Sequence, residues 1–157
     1  MKRRKAHRQK PVINPLTALT PAPADKRERV MARFRSSLET IARGSHPGAV
    51  EWRDLADACN LVETLTLHMG RLVPDEVLPS VAAAVQSMKE AAHRYREGAG
   101  LRLDARGLEA LRDVLAIYEQ CLEGLPEREI EQARAEPERR IVAIRRSKKP
   151  SSEIVEL

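Results

Sequence analysis

The sequence has few aromatic residues and few glycines. Aromatics make up 3% of its 157 residues, and glycine occurs 7 times. The core must therefore be built from aliphatic side chains. Charged residues, many of them good helix formers, make up 32%. This composition favours helices over sheets, and a chain of this length can bury a core as one domain without disulfides or metal.

Cysteines and long apolar runs are also scarce. The two cysteines, Cys59 and Cys121, lie within apolar stripes, which predicts buried, reduced thiols rather than a disulfide. No apolar run reaches the length of about 18 residues that a transmembrane helix needs. The basic N-terminus is followed by proline and not by the apolar stretch of a secretory signal. We therefore predict a cytoplasmic protein without membrane contact.

Sequence motifs for catalysis or metal binding are not evident. We find no C-x-x-C or H-x-x-x-H spacing, no G-x-S-x-G, and no glycine loop followed by Lys-Ser/Thr. Asp54 and Asp57 are interpreted as part of a polar helix face. We predict no metal, no cofactor and no enzymatic activity.

The first two predicted helices contain the widest apolar surface of the chain. The first runs from Asp25 to Ala42 and ends at Gly44. The second begins near Pro47 and ends at Gly70. Its segment Glu51–Met69 contains the only tryptophan and an apolar arc wide enough to contact neighbours on two sides. We predict that this segment is the buried central helix.

Three further helices follow. We predict a turn at 74–78 and then a helix from Pro79 to about Arg96, whose apolar stripe extends to Tyr95. Asp104 is the predicted N-cap of a fourth helix that ends at Gly124. A fifth, opened by Pro126 and interrupted by Pro137, has sparse apolar positions, which predicts a partly docked, kinked helix.

These elements predict an all-α fold: a compact bundle of four core helices, a fifth peripheral C-terminal helix and a disordered basic N-terminal arm. The predicted divisions are a disordered basic arm and Pro-rich linker over 1–24, a helical domain over 25–146 and a disordered tail over 147–157.

The net charge of +5 is concentrated near the ends of the chain. Residues 25–144 contain 18 basic and 21 acidic residues, so the predicted domain is mildly acidic. On the first helix Lys26, Arg29 and Arg33 share a face, for which a solvated charged surface is the simpler interpretation. The candidate nucleic-acid-binding residues are Lys2, Arg3, Arg4, Lys5, Arg8, Lys10, Arg145, Arg146, Lys148 and Lys149.

Basic tails of this kind bind polyphosphate non-specifically and with strong salt dependence. Specific readout is not indicated, because no helix-turn-helix surface is evident and aromatics are too few for a stacking platform. The ligand could be DNA, RNA or an acidic protein, and the tails could also serve only to solubilise the domain.

Two segments, WRDLADACNLVETL (Trp52–Leu65) and LDARGLEALRDVLAIYEQCL (Leu103–Leu122), resemble those of small all-helical proteins of unknown function encoded by phages, prophages and plasmids in bacteria. The resemblance implies a helical fold and a mobile-element context, and it assigns no activity to any residue. The predicted function is a non-enzymatic accessory or regulatory protein that contacts nucleic acid through its tails. The alternative is a protein-interaction module, either a homodimer or an adaptor that inhibits a host factor, based on the broad apolar arc of the second helix and the apolar surplus of the fourth.

Overall fold

The computed structural model describes residues 19–44 and 47–147, except for the side chains of Arg145 and Ser147. Within these residues the secondary structure is helical and contains no strand. The helices are α1 (Ala24–Arg43), α2 (Ala49–Leu67), α3 (Pro74–Arg96), α4 (Ala105–Gly124) and α5 (Glu127–Ser147). The predicted all-α bundle is confirmed, whereas the predicted arm and tail lie outside the described residues.

Helix α2 is the centre of the bundle. Like α4, it contacts each of the other four helices, whereas α1 and α3 do not contact each other. Its side chains Leu55, Ala58, Val62 and Leu65 have no exposed surface, and Trp52 is also buried. The wide apolar arc predicted a buried central helix, and the packing confirms it. The helix starts at Ala49 and ends at Leu67, so it is shorter than predicted at both ends.

Consecutive helices run antiparallel. In an antiparallel pair, residue numbers rise along one helix and fall along the other. This holds for Ser80–Asp113 and Ser87–Asp104 between α3 and α4. It also holds for Thr64–Arg140 and Arg71–Glu129 between α2 and α5. In α1 and α2, Ser37 bonds to Asp54, and Arg33, one turn earlier in α1, lies near both Asp54 and Asp57, which gives these two helices the same antiparallel relation. Helices α1, α3 and α5 therefore point in one direction, and α2 and α4 point in the other.

The prediction of a turn before α3 is wrong. The helix begins at Pro74, which suits the first helical position, and continues through Pro79. Pro79 lacks an N–H and therefore leaves the Asp75 carbonyl without its helical partner. Asp75 is exposed, so water can satisfy that carbonyl. Burial of Val77 and Val81 on either side of Pro79 holds the helix together.

Helix α5 is peripheral, as predicted, and depends largely on polar contacts. Only Ile130 and Ala133 of this helix are buried apolar residues. The interruption predicted at Pro137 is wrong, because the helix is continuous from Glu127 to Ser147. Four polar contacts distributed along its length hold it to the bundle: Lys26–Glu127, Arg71–Glu129, Arg134–Tyr118, and Arg140 with both His68 and Thr64.

The connection into α4 is well determined by the sequence. Asp104 is the N-cap as predicted, since its Oδ1 accepts a hydrogen bond from the Gly107 N–H at 2.7 Å. Gly107 also allows α3 and α4 to approach closely. A Cβ at this position would lie 2.5 Å from the Ser87 Cβ. At the end of α1, Gly44 has a φ of 66°, as the predicted helix stop requires.

Both cysteines are buried and unpaired. Cys59 and Cys121 are each 2% exposed and form no disulfide, which confirms the predicted core thiols. None of the helices in the described part of the chain combines the length and the apolar character needed to cross a membrane.

Candidate nucleic-acid interface

The structure places only two of the ten candidate nucleic-acid-binding residues. Arg145 and Arg146 belong to the last turn of α5, and Arg146 is exposed. Lys148 and Lys149 follow directly after this turn in the sequence, beyond the described residues. The six arm residues also lie outside the described residues: Lys2, Arg3, Arg4, Lys5, Arg8 and Lys10.

The basic face of α1 is neutralised within the bundle. Each of its three cations has a carboxylate partner, two of them on other helices. The pairs are Lys26–Glu127, Arg29–Asp25 at 2.9 Å and Arg33–Asp54 at 3.1 Å. This face is therefore part of the helix packing and offers little free charge to an outside ligand.

The polar helix face predicted for Asp54 and Asp57 is buried at Asp54. Asp54 is only 6% exposed, and its Oδ2 accepts a hydrogen bond from the Ser37 hydroxyl at 2.8 Å. Together with the Arg33 ion pair, this bond satisfies a carboxylate that burial would otherwise destabilise. Burial also raises the pKa of the neighbouring Asp57. The cluster joins α1 to α2 and contains no nucleophile with a base beside it.

Charges at the helix ends follow a consistent order in the three parallel helices. The first turns of α1, α3 and α5 carry acidic residues, and the last turns of α1 and α3 carry basic ones, the order that favours the helix macrodipole. The acidic residues are Asp25, Asp75, Glu76, Glu127 and Glu129, and the basic residues are Arg43, His93, Arg94 and Arg96. Helices α2 and α4 carry no basic residue in their last turns.

Because α1, α3 and α5 point the same way, this order separates charge between the two ends of the bundle. We call one end the acidic end and define it by Asp25, Asp75, Glu76, Glu127 and Glu129. We name the opposite end, where α1 and α3 finish, the arginine end, and define it by Arg43, Arg94, Arg96 and Arg102. Helix α5 points toward the arginine end, so the chain leaves α5 in that direction.

Contacts among side chains hold part of the arginine end together. Arg94 Nη2 donates to the Arg102 carbonyl at 3.0 Å and so fixes the loop after α3. The Arg102 guanidinium lies beside Gly44, with Nε 3.5 Å from the point where a Cβ would stand. Among the described residues no carboxylate pairs with Arg94, Arg96 or Arg102. Arg43 is 3.5 Å from Glu39 of its own helix.

The two basic tails join opposite ends of the bundle. The Glu127 N–H donates to the Thr20 carbonyl at 2.8 Å, which places the end of the Pro-rich linker beside the first residue of α5. A helix of 21 residues is about 30 Å long at 1.5 Å per residue. The arm therefore connects at the acidic end, about 30 Å from the point where the C-terminal cluster begins.

The surface grooves contain no constellation for catalysis. The groove between α3 and the start of α4, of about 330 Å³, includes Ser87, Glu90, Asp104 and Arg106 but no histidine, cysteine or lysine. The Ser87 hydroxyl is 3.5 Å from the Asp104 Oδ1, which is already held by the Gly107 N–H as the cap of α4, and the groove supplies no histidine or lysine to act as a base. The buried thiols are protonated, because desolvation raises the pKa of Cys59 to about 12 and that of Cys121 to about 11.

Sequence reasoning overlooked one spacing found in metal sites, the E-x-x-H of Glu90 and His93. In the structure Glu90 accepts from Gln86 at 2.8 Å, and His93 is 3.4 Å from Glu97. Across the described ranges, no group of three His, Cys, Asp or Glu side chains is arranged to hold a metal ion.

Comparison with known proteins identifies no relative of this chain. The chain matches no protein-family model, no curated protein and no solved structure.

Proposed function

We propose that the protein is a non-enzymatic accessory or regulatory factor that contacts nucleic acid non-specifically through its basic tails. The observation that carries the proposal is the direction of α5, whose last turn contains Arg145 and Arg146. The helix points toward the end of the bundle where Arg94, Arg96 and Arg102 have no carboxylate partner among the described residues. Arginine binds phosphate in a forked geometry, so cations gathered in this way favour a polyphosphate ligand.

The cellular setting is part of the same proposal. We propose a cytoplasmic protein of a phage, prophage or plasmid, supported by the resemblance of Trp52–Leu65 and Leu103–Leu122 to proteins of such elements. The genes beside the coding sequence test this setting. Neighbouring recombination, replication or virion-assembly genes would support it, and a run of metabolic genes would contradict it.

Salt-dependent binding tests the nucleic-acid contact. Binding to a labelled DNA duplex of about 20 base pairs is measured by fluorescence anisotropy at several salt concentrations. The proteins compared are the full chain, a deletion of residues 1–10, and a variant with Arg145, Arg146, Lys148 and Lys149 changed to Gln. Each cation that contacts a phosphate adds about 0.9 to the slope of log K against log salt. Both variants should therefore bind more weakly and with a smaller slope.

The matched control is Arg29→Gln/Arg128→Gln, which removes two cations at the acidic end. Arg29 pairs with Asp25 in its own helix, and Arg128 is exposed without a partner in the described residues. We expect this control to bind as the parent chain does. Unchanged affinity and slope in both tail variants would refute contact through the tails.

The alternative of a protein-interaction module has lost one of the two features on which it was based. The apolar arc of α2 is buried against α1, α3, α4 and α5, so it is not a free docking face. A homodimer or an adaptor for a host factor stays a prediction that needs another surface. Light scattering of the full chain at increasing concentration tests self-association, and a stable dimer would favour the alternative.

A further inference from the structure

We propose that the arginine end of the folded bundle, together with Tyr95, binds single-stranded nucleic acid. The inference rests on the proposed nucleic-acid function and deepens it, because it assigns contact to the folded domain and names the strand form. In this arrangement the arginines contact phosphates and Tyr95 stacks on a base.

The first observation is the free charge of this surface. Arg94, Arg96 and Arg102 are exposed, and none has a carboxylate partner among the described residues. Half of the other arginines with described side chains do have one, as Arg33, Arg35, Arg71 and Arg134 illustrate. The cations of the arginine end are therefore available to a ligand without first breaking an ion pair.

The second observation is the position of the one exposed aromatic side chain. The chain has four aromatics, and Phe34, Trp52 and Tyr118 are buried at 2%, 6% and 1% exposure. Tyr95 is 47% exposed, although its place on the apolar stripe of α3 predicted a core position. It lies between Arg94 and Arg96 in the sequence, in the turn where α3 extends past the buried core.

An exposed aromatic beside unpaired arginines matches the chemistry of single-strand recognition. Such surfaces combine cations that follow the phosphate backbone with aromatic rings on which bases stack. In a duplex the base faces are already stacked on one another, so Tyr95 could not gain this contact. The phosphate contacts of the arginines do not depend on strand form, which makes Tyr95 the residue that distinguishes the two ligands.

The macrodipole explains why cations occur in the last turns of α1 and α3, but it does not explain the remaining features. Arg102 belongs to a loop rather than to a helix end, and its guanidinium crosses to Gly44 of α1. A dipole interaction also requires no exposed ring. A ligand that carries both phosphates and free bases accounts for the arginines and the tyrosine together.

Binding of a labelled mixed-sequence DNA strand of about 20 nucleotides, and of the same sequence as a duplex, tests the inference in the full chain. Tyr95→Ala should bind the single strand about 5- to 150-fold more weakly and the duplex as before, because one stacked base is lost. Tyr95→Phe keeps the ring and should retain the affinity of the parent chain.

The arginines are tested by the salt slope on the same single strand. Arg96→Gln/Arg102→Gln should reduce the slope by about 1.4, at about 0.7 for each phosphate contact. Arg29→Gln/Arg128→Gln removes the same charge at the acidic end and should leave the slope unchanged. Arg96→Gln alone removes an exposed side chain that makes no hydrogen bond or ion pair in the described structure, so a reduction of about 0.7 in this variant would support the contact with little effect on folding.

The failures of the two proposals are distinguishable. If the parent chain binds neither strand form, the proposed function fails, and the inference fails with it. If the tail variants weaken binding while Tyr95→Ala and Arg96→Gln/Arg102→Gln do not, the tails bind nucleic acid and the inference is wrong. If Tyr95→Ala weakens binding to the single strand and to the duplex equally, the assignment to single strands is wrong. It is also wrong if polyglutamate of equal charge displaces the strand.

Discussion

Gly107→Ala should destabilise the protein because of the close approach of α3 and α4. The added Cβ would lie 2.5 Å from the Ser87 Cβ and 2.8 Å from its Oγ, distances that force one of the helices to move. Gly107 is buried on α4, and Ser87 is 7% exposed on α3, so neither side chain can turn into solvent. The new methyl would also lie 2.9 Å from the Asp104 Oδ1 that caps α4.

Two opposing effects set the size of the change. Overpacking a helix contact costs about 1–3 kcal/mol. Alanine in place of glycine favours the helix by up to about 1 kcal/mol, less in the first turn. We therefore expect a net loss of about 1–2 kcal/mol in the free energy of unfolding, or about 2–4 °C in Tm for each kcal/mol in a chain of this size.

Urea unfolding of four proteins measures the effect: the parent chain, Gly107→Ala, Ser87→Gly and the double variant. Removing the Ser87 side chain removes the two closest contacts and leaves only the Asp104 Oδ1 at 2.9 Å, so Gly107→Ala should cost much less in the Ser87→Gly background. The coupling between the two sites should then be about 1 kcal/mol or more. Gly124→Ala, where no atom lies within 4 Å of the new Cβ, is the matched control and should not destabilise. A full loss that persists in the Ser87→Gly background would refute the steric argument.

Two further predictions concern buried polar groups. Tyr118→Phe removes the hydroxyl that accepts a hydrogen bond from Arg134 Nη2 at 2.6 Å. Because this bond involves a charged group, its loss should lower the free energy of unfolding by about 1.5–3 kcal/mol. An unchanged urea midpoint would contradict this prediction. For the thiols, burial raises the pKa of Cys59 to about 12 and of Cys121 to about 11, so the native state keeps protons that the unfolded state loses. Stability should be unaffected below about pH 9 and then fall as the pH rises, by up to about 1.4 kcal/mol per pH unit for each thiol. Urea midpoints at several alkaline pH values should fall less steeply in Cys59→Ala/Cys121→Ala, and parallel declines in the two proteins would contradict the assignment.

Much of the fold could be predicted from local sequence features. The width of the apolar arc on Glu51–Met69 was enough to place α2 at the centre, because a helix with one exposed side cannot contact neighbours all round. Asp104 was recognisable as a cap from its residue type and position. Pro79 misled the prediction, since proline costs a helix one hydrogen bond and the sequence does not show that the freed carbonyl of Asp75 faces water.

The charged surface could be predicted only in part. The order of acidic first turns and basic last turns is visible in the sequence, but its effect depends on which helices point the same way. The partner of Asp54 lies on another helix, so no local pattern shows that this carboxylate is buried. Tyr95 fits the period of the α3 stripe and is nevertheless exposed. The period of the apolar residues shows which face of a helix packs against the core, but it does not show where along the helix its neighbours end.

The odd number of antiparallel helices gives the molecule a permanent electric moment. The one helix left uncancelled contributes about half an elementary charge at each pole, with its negative pole at the arginine end. The full charges of Arg94, Arg96 and Arg102 outweigh this negative pole, so the arginine end attracts a polyanion. The field of a polyanion would turn such a molecule end-on before any contact forms. Orientation during approach raises association rates, so the sensitivity of binding to salt would appear first in the on-rate.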